Sequence, residues 1–324
     1  MTTKTVTPVK VYSAKDTSIN DILKEAVANA NLQGKKQIFI KPNLSHPEYL
    51  PGVVTDPELT SQLIGLLRNK NSEVIIAVGE SNGFNYPCWT AFNKTGMKKA
   101  VEKAGGTVIN LSEDKIVEVN FGNKTSVKRL FLPKTILNAD AVIDLPLMKT
   151  HEFMAYSGAI KNLFGCIPSN KRIYLHPYLP EVFYHLYTLF KPALTIMDAR
   201  TGIEGNGPTK GKPVKMNLLL TSVDALALDI VATKIMKLNW ENTYLNYIAR
   251  KTGLLEINIK EEGVPVPTVA RRFESPCIDL PVKAQIIIYQ HEYLTKLLFC
   301  SLDIVQLFQK ITMTYRGKPV KEQN

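Results

Sequence analysis

The residues best placed to do chemistry fall in one short stretch. Lys149, His151 and Lys161 occur within thirteen residues that are otherwise mostly apolar or small, in Leu145-Pro-Leu-Met-Lys-Thr-His151 and Tyr156-Ser-Gly-Ala-Ile-Lys-Asn-Leu-Phe-Gly-Cys166. Burying two lysines and a histidine near one another is costly unless anionic partners are present. If Ser157 and Gly158 open a helix, its first N–H groups are donors for an anion. Lys161, one turn further in, reaches the same ligand, with Asn162 beside it. A lysine crowded by a second cation has a lowered pKa and becomes nucleophilic. Lys149 and Lys161 are therefore candidate catalytic groups, and His151 is the candidate general acid/base. In the plainer reading both lysines snorkel to water and His151 is an ordinary loop residue.

Three further polar stretches each follow a strand-like run, and ligands in open α/β sheets gather beyond the C-terminal ends of the strands. Lys41-Pro42-Asn43 can present a cation and an amide to a carboxylate or phosphate; His46 lies close by in a loop. Gly79-Glu80-Ser81-Asn82-Gly83 lets the backbone approach a ligand, and Glu80 offers a base or a metal ligand. Asp198 to Pro208, with Glu204, Gly205 and Gly207, suits either a metal or a backbone nest for phosphate, or is a plain glycine-rich connection. Asp224 is read as the cap of the following helix, and Asp229 as facing the same cleft.

These stretches, in this order, resemble the family called domain of unknown function 362. The likeness is carried by KPNL at 41–44, KTH at 149–151, GAIKNLFGCIP at 158–168, GIEGNGP at 202–208 and DALALDIVATKIM at 224–236. It implies a link to iron–sulfur chemistry, through a ferredoxin-like partner, since no such module is present in this chain. HEFMAYSGAIKNLFGCIP is also distantly similar to a segment of nickel-pincer lactate racemases. That likeness implies an acid/base role for His151, a cofactor-anchoring role for Lys161 and a metal ligand near His176. Where the racemases carry Asp-x-Thr-Arg and Gly-Thr-His, this chain has Lys41-Pro42-Asn43 and Gly79-Glu80-Ser81. The resulting expectation is an enzyme for a small anionic, hydroxy-acid-like substrate, a metal-dependent isomerase or oxidoreductase. Lys41, Asn43, Ser157, Gly158, Asn162, Gly205 and Gly207 would bind ligand or cofactor. His176, Glu80 and Glu204 would be the metal ligands, for nickel, zinc or iron. The alternatives are an iron–sulfur redox protein and a non-catalytic phosphate- or nucleotide-binding module.

Elements must position these groups. Val9–Tyr12, Gln37–Ile40, Glu73–Val78, Thr107–Leu111, Ser126–Phe131, Ala141–Leu145, Leu194–Met197 and Lys215–Thr221 read as strands. Helices are predicted at Ile19–Ala30, Pro57–Asn69 (capped by Thr55 or Asp56), Trp89–Ala104, Ser222–Lys237 and Glu241–Thr252. The order predicts an α/β fold with a doubly wound, mostly parallel sheet and helices on both faces. Residues 1–260 would carry the cleft, with two lobes divided near 115–150 as a variant. Residues 261–324 would be a connector (Glu261–Pro281), a strand (Ala284–Tyr289) and an apolar helix (Tyr293–Ile311).

The 324 residues, 45% of them hydrophobic, suffice for a large core. No uninterrupted apolar run of membrane-spanning length occurs, and the N-terminal sequence reads as mature and cytoplasmic. Cys88, Cys166, Cys277 and Cys300 form no C-x-x-C pair and read as reduced thiols. The net charge of +11 comes from scattered basic residues (KK at 35–36 and 98–99, KR at 128–129 and 171–172) with no nucleic-acid signature. A lysine-rich surface and a local preference for a small anion account for it. The basic C-terminal helix would pack on the core or a second copy in a homodimer, or lie in a membrane interface.

Overall fold

Alternate residues of the segment 37–42 enter two different cores, and that alternation explains the layering. Ile38 and Ile40 pack with Leu59, Leu63 and Val101, whereas Phe39 packs with Val182 and Leu186. A strand buried on both faces belongs in the middle of a sheet covered by helices on both sides. The protein, in a computed structural model, has that architecture; the structure describes residues 6–83, 86–168, 172–253, 258–278, 280–298, 304 and 307.

The strands are β1 (Val6–Ser13), β2 (Gln37–Pro42), β3 (Ile75–Glu80), β4 (Thr107–Asn110), β5 (Ile116–Asn120), β6 (Arg129–Pro133), β7 (Ala141–Leu145), β8 (Leu147–His151), β9 (Ala155–Ser157), β10 (Leu194–Glu204), β11 (Lys212–Ser222) and β12 (Asn258–Gly263). The main sheet runs β12-β1-β11-β10-β7-β2-β3-β4, with β8 paired to β10 and β9 to β8. Pairing is parallel from β10 through β7, β2 and β3 to β4, and between β1 and β12. It is antiparallel where β11 meets β1 and β10. The sheet is thus mostly parallel, as the sequence predicts.

Helices α1 (Ile19–Asn29) and α2 (Pro57–Lys70) follow β1 and β2. The Asp56 carboxylate caps α2 by accepting the Glu58 N–H at 2.8 Å, with Pro57 at the first position. Helices α3 (Cys88–Lys94) and α4 (Met97–Lys103) lie between β3 and β4, and the short α5 (Lys134–Leu137) follows β6. The second half carries α6 (Ala159–Asn162), α7 (Leu179–Phe190), α8 (Ala225–Ile235), α9 (Tyr244–Thr252), α10 (Val266–Val269), α11 (Leu280–Gln290) and α12 (Glu292–Leu298). Asp224 caps α8, accepting the Leu226 and Ala227 N–H groups at 2.8 and 3.0 Å.

Several local expectations are corrected. The single helix over Trp89–Ala104 is two, broken where Gly96 takes a φ of 78°, a backbone state that ends one helix and starts the next. The Asp198–Glu204 stretch is not loop but the continuation of β10, paired with β11 as far as Lys212. Lys149 and His151 likewise lie on a strand, β8. The expected strand Ala284–Tyr289 is part of helix α11, whose Ile288 and Tyr289 pack on Ile173. A β-branched run lowers helix propensity by only tenths of a kcal/mol per residue, so tertiary packing overrides it. Within the expected connector, residues to Gly263 complete β12 and pair with β1. Of the helix expected over Tyr293–Ile311, the part beyond Leu298 lies outside the described residues, except Ile304 and Leu307. Among the described residues no helix is long and apolar enough to cross a membrane.

Candidate functional site

Four segments distant in sequence meet beyond the C-terminal ends of β2, β3 and β7. Lys41, at the end of β2, is fully buried, and its Nζ donates to Glu80 Oε2 at 2.5 Å and to the Pro42 carbonyl at 2.6 Å. Glu80 also accepts the Ser81 N–H at 3.0 Å. The backbone of Gly165 roofs this ion pair: a Cβ there would stand 2.5 Å from Glu80 Oε1 and 2.9 Å from Lys41 Nζ. Only glycine allows so close an approach.

Lys149, 1% exposed, donates to Asn43 Oδ1 at 3.1 Å, Ser45 Oγ at 3.1 Å and the Val53 carbonyl at 2.6 Å. Because Asn43 accepts with its oxygen, its amide nitrogen is free to donate to Asn162 Oδ1 at 3.0 Å. Asn162 Nδ2 in turn donates to Asp144 Oδ1 at 2.7 Å. Two amides thus link a buried lysine to a buried acid. Burial drives Lys149 well below the usual lysine range, with the Lys161 charge adding to the effect. Burial also drives Asp144 well above the carboxylate range. Both groups are held toward their neutral forms.

Lys161 lies on α6 and is half-buried; among the described residues its amine meets no hydrogen-bond acceptor and no carboxylate. Burial first, and then the neighbouring Arg172 charge, push its pKa down to about 8. Arg172 donates to the Asn82 carbonyl and makes no ion pair among the described residues. His176 sits in the same field. Burial pushes its pKa down to about 4, so its imidazole is neutral at pH 7. It stacks on Tyr289 with ring centroids 4.2 Å apart, and its Nδ1 lies 3.0 Å from the Ile173 carbonyl. His151 is two residues beyond Lys149 on β8 and so faces the same side of the strand. Its Nδ1 accepts the Phe153 N–H at 3.1 Å, which places the proton of a neutral ring on Nε2.

The structure therefore brings Lys41, Asn43, Glu80, Lys149, Lys161, Asn162 and His176 together and adds Arg172 and Asp144, which the sequence reading did not single out. It treats the remaining candidates differently. The N–H groups at the start of α6 are not free for a ligand: Asp229 accepts Ala159 N–H at 2.7 Å, Ile160 N–H at 3.0 Å and the Tyr156 hydroxyl at 2.8 Å. Asp229 thus caps α6 rather than facing the cleft, and burial raises its pKa to about 7. Gly158 is required there, since a Cβ would lie 2.0 Å from Tyr156 Oη and 2.2 Å from Asp229 Oδ1. Ser157 is buried on β9, opposite Lys149. The Gly205 N–H donates to the Glu274 carbonyl at 2.9 Å and the Gly207 N–H to the Gly205 carbonyl at 2.8 Å, so neither is a phosphate nest. Glu204 pairs with Arg271 at 3.0 Å.

A metal would need several donors at one point. Glu80 is bound to Lys41 and Glu204 to Arg271, and His176, with Nδ1 at the Ile173 carbonyl, keeps only Nε2 for a ligand. Among the described residues no three His, Cys, Asp or Glu side chains converge. Cys88 and Cys166 are buried, and neither belongs to a group of three or more His, Cys, Asp or Glu among the described residues. Among the described residues these donor sets fit neither a protein-held divalent metal nor an iron–sulfur cluster.

Residues 38–234 match the family described as domain of unknown function (DUF362). Thylakoid-associated protein sll1697 of Synechocystis sp. is 29% identical over 218 residues, covering 63% of this chain and 64% of that protein's length. The lactate racemase apoprotein from Thermoanaerobacterium thermosaccharolyticum aligns at a TM-score of 0.45 and 16% identity, over 68% of this chain and 57% of its own. A superposition that loose transfers no residue roles.

Proposed function

For a chain that belongs to the domain of unknown function (DUF362) family, we propose an enzyme that acts on a small anionic substrate, of hydroxy- or oxo-acid type, with the Lys161 amine as the reacting group. One observation carries this reading: a desolvated lysine, with no hydrogen-bond acceptor among the described residues, stands beside a second cation at the C-terminal ends of the strands. Elsewhere in the cleft the chain satisfies its own cations, Lys41 with Glu80 and Lys149 with three acceptors.

A pKa of about 8 leaves a usable fraction of Lys161 unprotonated near neutrality. That nitrogen can attack the carbonyl carbon of a 2-oxo acid; the C–N bond forms and the carbonyl oxygen departs as water. The same amine could be the attachment point of a carbonyl- or acyl-bearing cofactor. His151, on the Lys149 face of β8, is the group assigned to proton transfer.

The test is reductive trapping. Protein incubated with pyruvate and cyanoborohydride, then mapped by peptide mass spectrometry, is expected to gain the adduct on Lys161 first. The rate should rise through about pH 8 rather than through the ordinary lysine range. Labelling spread over surface lysines, with Lys161 no faster than the rest, would sink the proposal.

A further inference from the structure

We propose that Arg172 is the primary oxyanion anchor of this cleft, holding a carboxylate or phosphate of the ligand by a two-pronged contact beside Lys161. The inference rests on the reading of the cleft as an anion site but not on the reactivity of Lys161.

The argument is one of compensation. Burying charge is tolerated when it is paired or when the group can lose it. Lys41 takes the first route, through Glu80 at 2.5 Å. Lys149 takes the second, held toward the neutral amine by burial, and Lys161 is partway along it. Arginine has no such escape, because the guanidinium does not deprotonate in a protein. Arg172 spends one donor on the Asn82 carbonyl, and a guanidinium has five N–H donors in a planar fork. Among the described residues no carboxylate pairs with it. The acids of the cleft are already committed: Glu80 to Lys41, and Asp144 to Asn162 in its neutral form. Arg172 is half-buried and feels the Glu80 charge without pairing with it, so among the described residues its remaining donors are open to an oxyanion that the fork can grip at two atoms.

This geometry couples binding to protonation. An anion on Arg172 also lies in the field of Lys161, so it raises the Lys161 pKa, and binding near pH 8 takes up a proton. The expected ligand carries one or two negative charges next to its reacting carbon.

Isothermal titration of the full chain with inorganic phosphate and with oxalate, at pH 8 in two buffers of different ionisation enthalpy, tests this. Wild type should bind at least one anion with proton uptake. Binding of oxalate alone assigns a carboxylate ligand, and binding of phosphate alone a phosphorylated one. Arg172→Gln should weaken binding by about tenfold or more, and Arg172→Lys should fail to restore it, because a point charge does not replace a fork. Lys161→Met should still bind, without proton uptake. This variant keeps the test open should the Arg172 substitutions disturb folding, which their melting curves would reveal. Unchanged affinity in a folded Arg172→Gln, or no binding of either anion by wild type, overturns the proposal. Binding with failed trapping removes the reactive amine and keeps the anchor, whereas trapping with unchanged Arg172→Gln affinity does the reverse.

Discussion

Two places that the sequence marks for an anion lie within a few residues of each other around helix α6, and the fold treats them oppositely. At the N-terminal end, Asp229 from α8 accepts the Ala159 and Ile160 N–H groups and the Tyr156 hydroxyl, so the chain supplies its own acceptor. Around Lys161 and Arg172 no carboxylate of the described residues lies within ion-pair distance; the Glu80 charge reaches Arg172 but is bonded to Lys41. The first arrangement reads as architecture, since its donors are fully used and glycine is forced at 158 by close approach. The second reads as recognition, because two neighbouring half-buried cations make no ion pair among the described residues. Clustered donors alone therefore do not mark a ligand site; what separates the two is whether the fold already contains the acceptor.

Breaking the satisfied pair should cost the most. Glu80→Ala leaves Lys41 buried without its partner, and urea unfolding should show a loss of about 3–5 kcal/mol. Asp229→Ala leaves three buried donors without an acceptor, for a loss of about 3 kcal/mol. Gly158→Ala, which forces Tyr156 and Asp229 apart, should cost about 2 kcal/mol by the same measurement. Lys161→Met, on the uncompensated side, should be nearly neutral or stabilising by about 1 kcal/mol at pH 7, since it removes a charge that the fold desolvates. A loss of several kcal/mol in that variant would place Lys161 with the architectural residues and end the contrast.

The pH dependence sharpens the same point. Asp229 has a raised folded-state pKa of about 7, so its contribution is full below the unfolded carboxylate pKa and is lost as pH rises through 7. Lys161 is lowered to about 8 from about 10.4 in the unfolded chain, so the unfolded state holds more protons between those values. Stability should therefore rise with pH from about 8 to 10.4, by about 1 kcal/mol after solvent screening, and Lys161→Met should flatten that limb.

Much of the framework was legible from local signals. Asp56 followed by Pro57 announced α2, Asp224 announced α8, and the buried run Ala141–Leu145 announced a central strand. Lys41, Asn43, Lys149, Lys161 and Asn162 stood out because polar groups in apolar surroundings need a reason to be there. Arg172 did not, because Lys171-Arg172 looks like any other surface pair of basic residues. Asp144 hid inside an apolar strand. Ile286, Ile287 and Ile288 favour a strand locally, while the packing of Ile288 and Tyr289 on Ile173 keeps this segment in helix α11.

The sequence by itself determined the periodicities, the caps and the chemistry that each segment could offer, because these depend on neighbours within a turn of helix or a stretch of strand. Only the tertiary structure decided which groups are spent on one another. Asp229 meets Ala159 from 70 residues away, Lys41 meets Glu80 across 39, and Arg172 reaches Asn82 across 90. Compensation of charge is a property of distance in space, and burial sets how much each missing partner costs; neither is written in the spacing of residues along the chain.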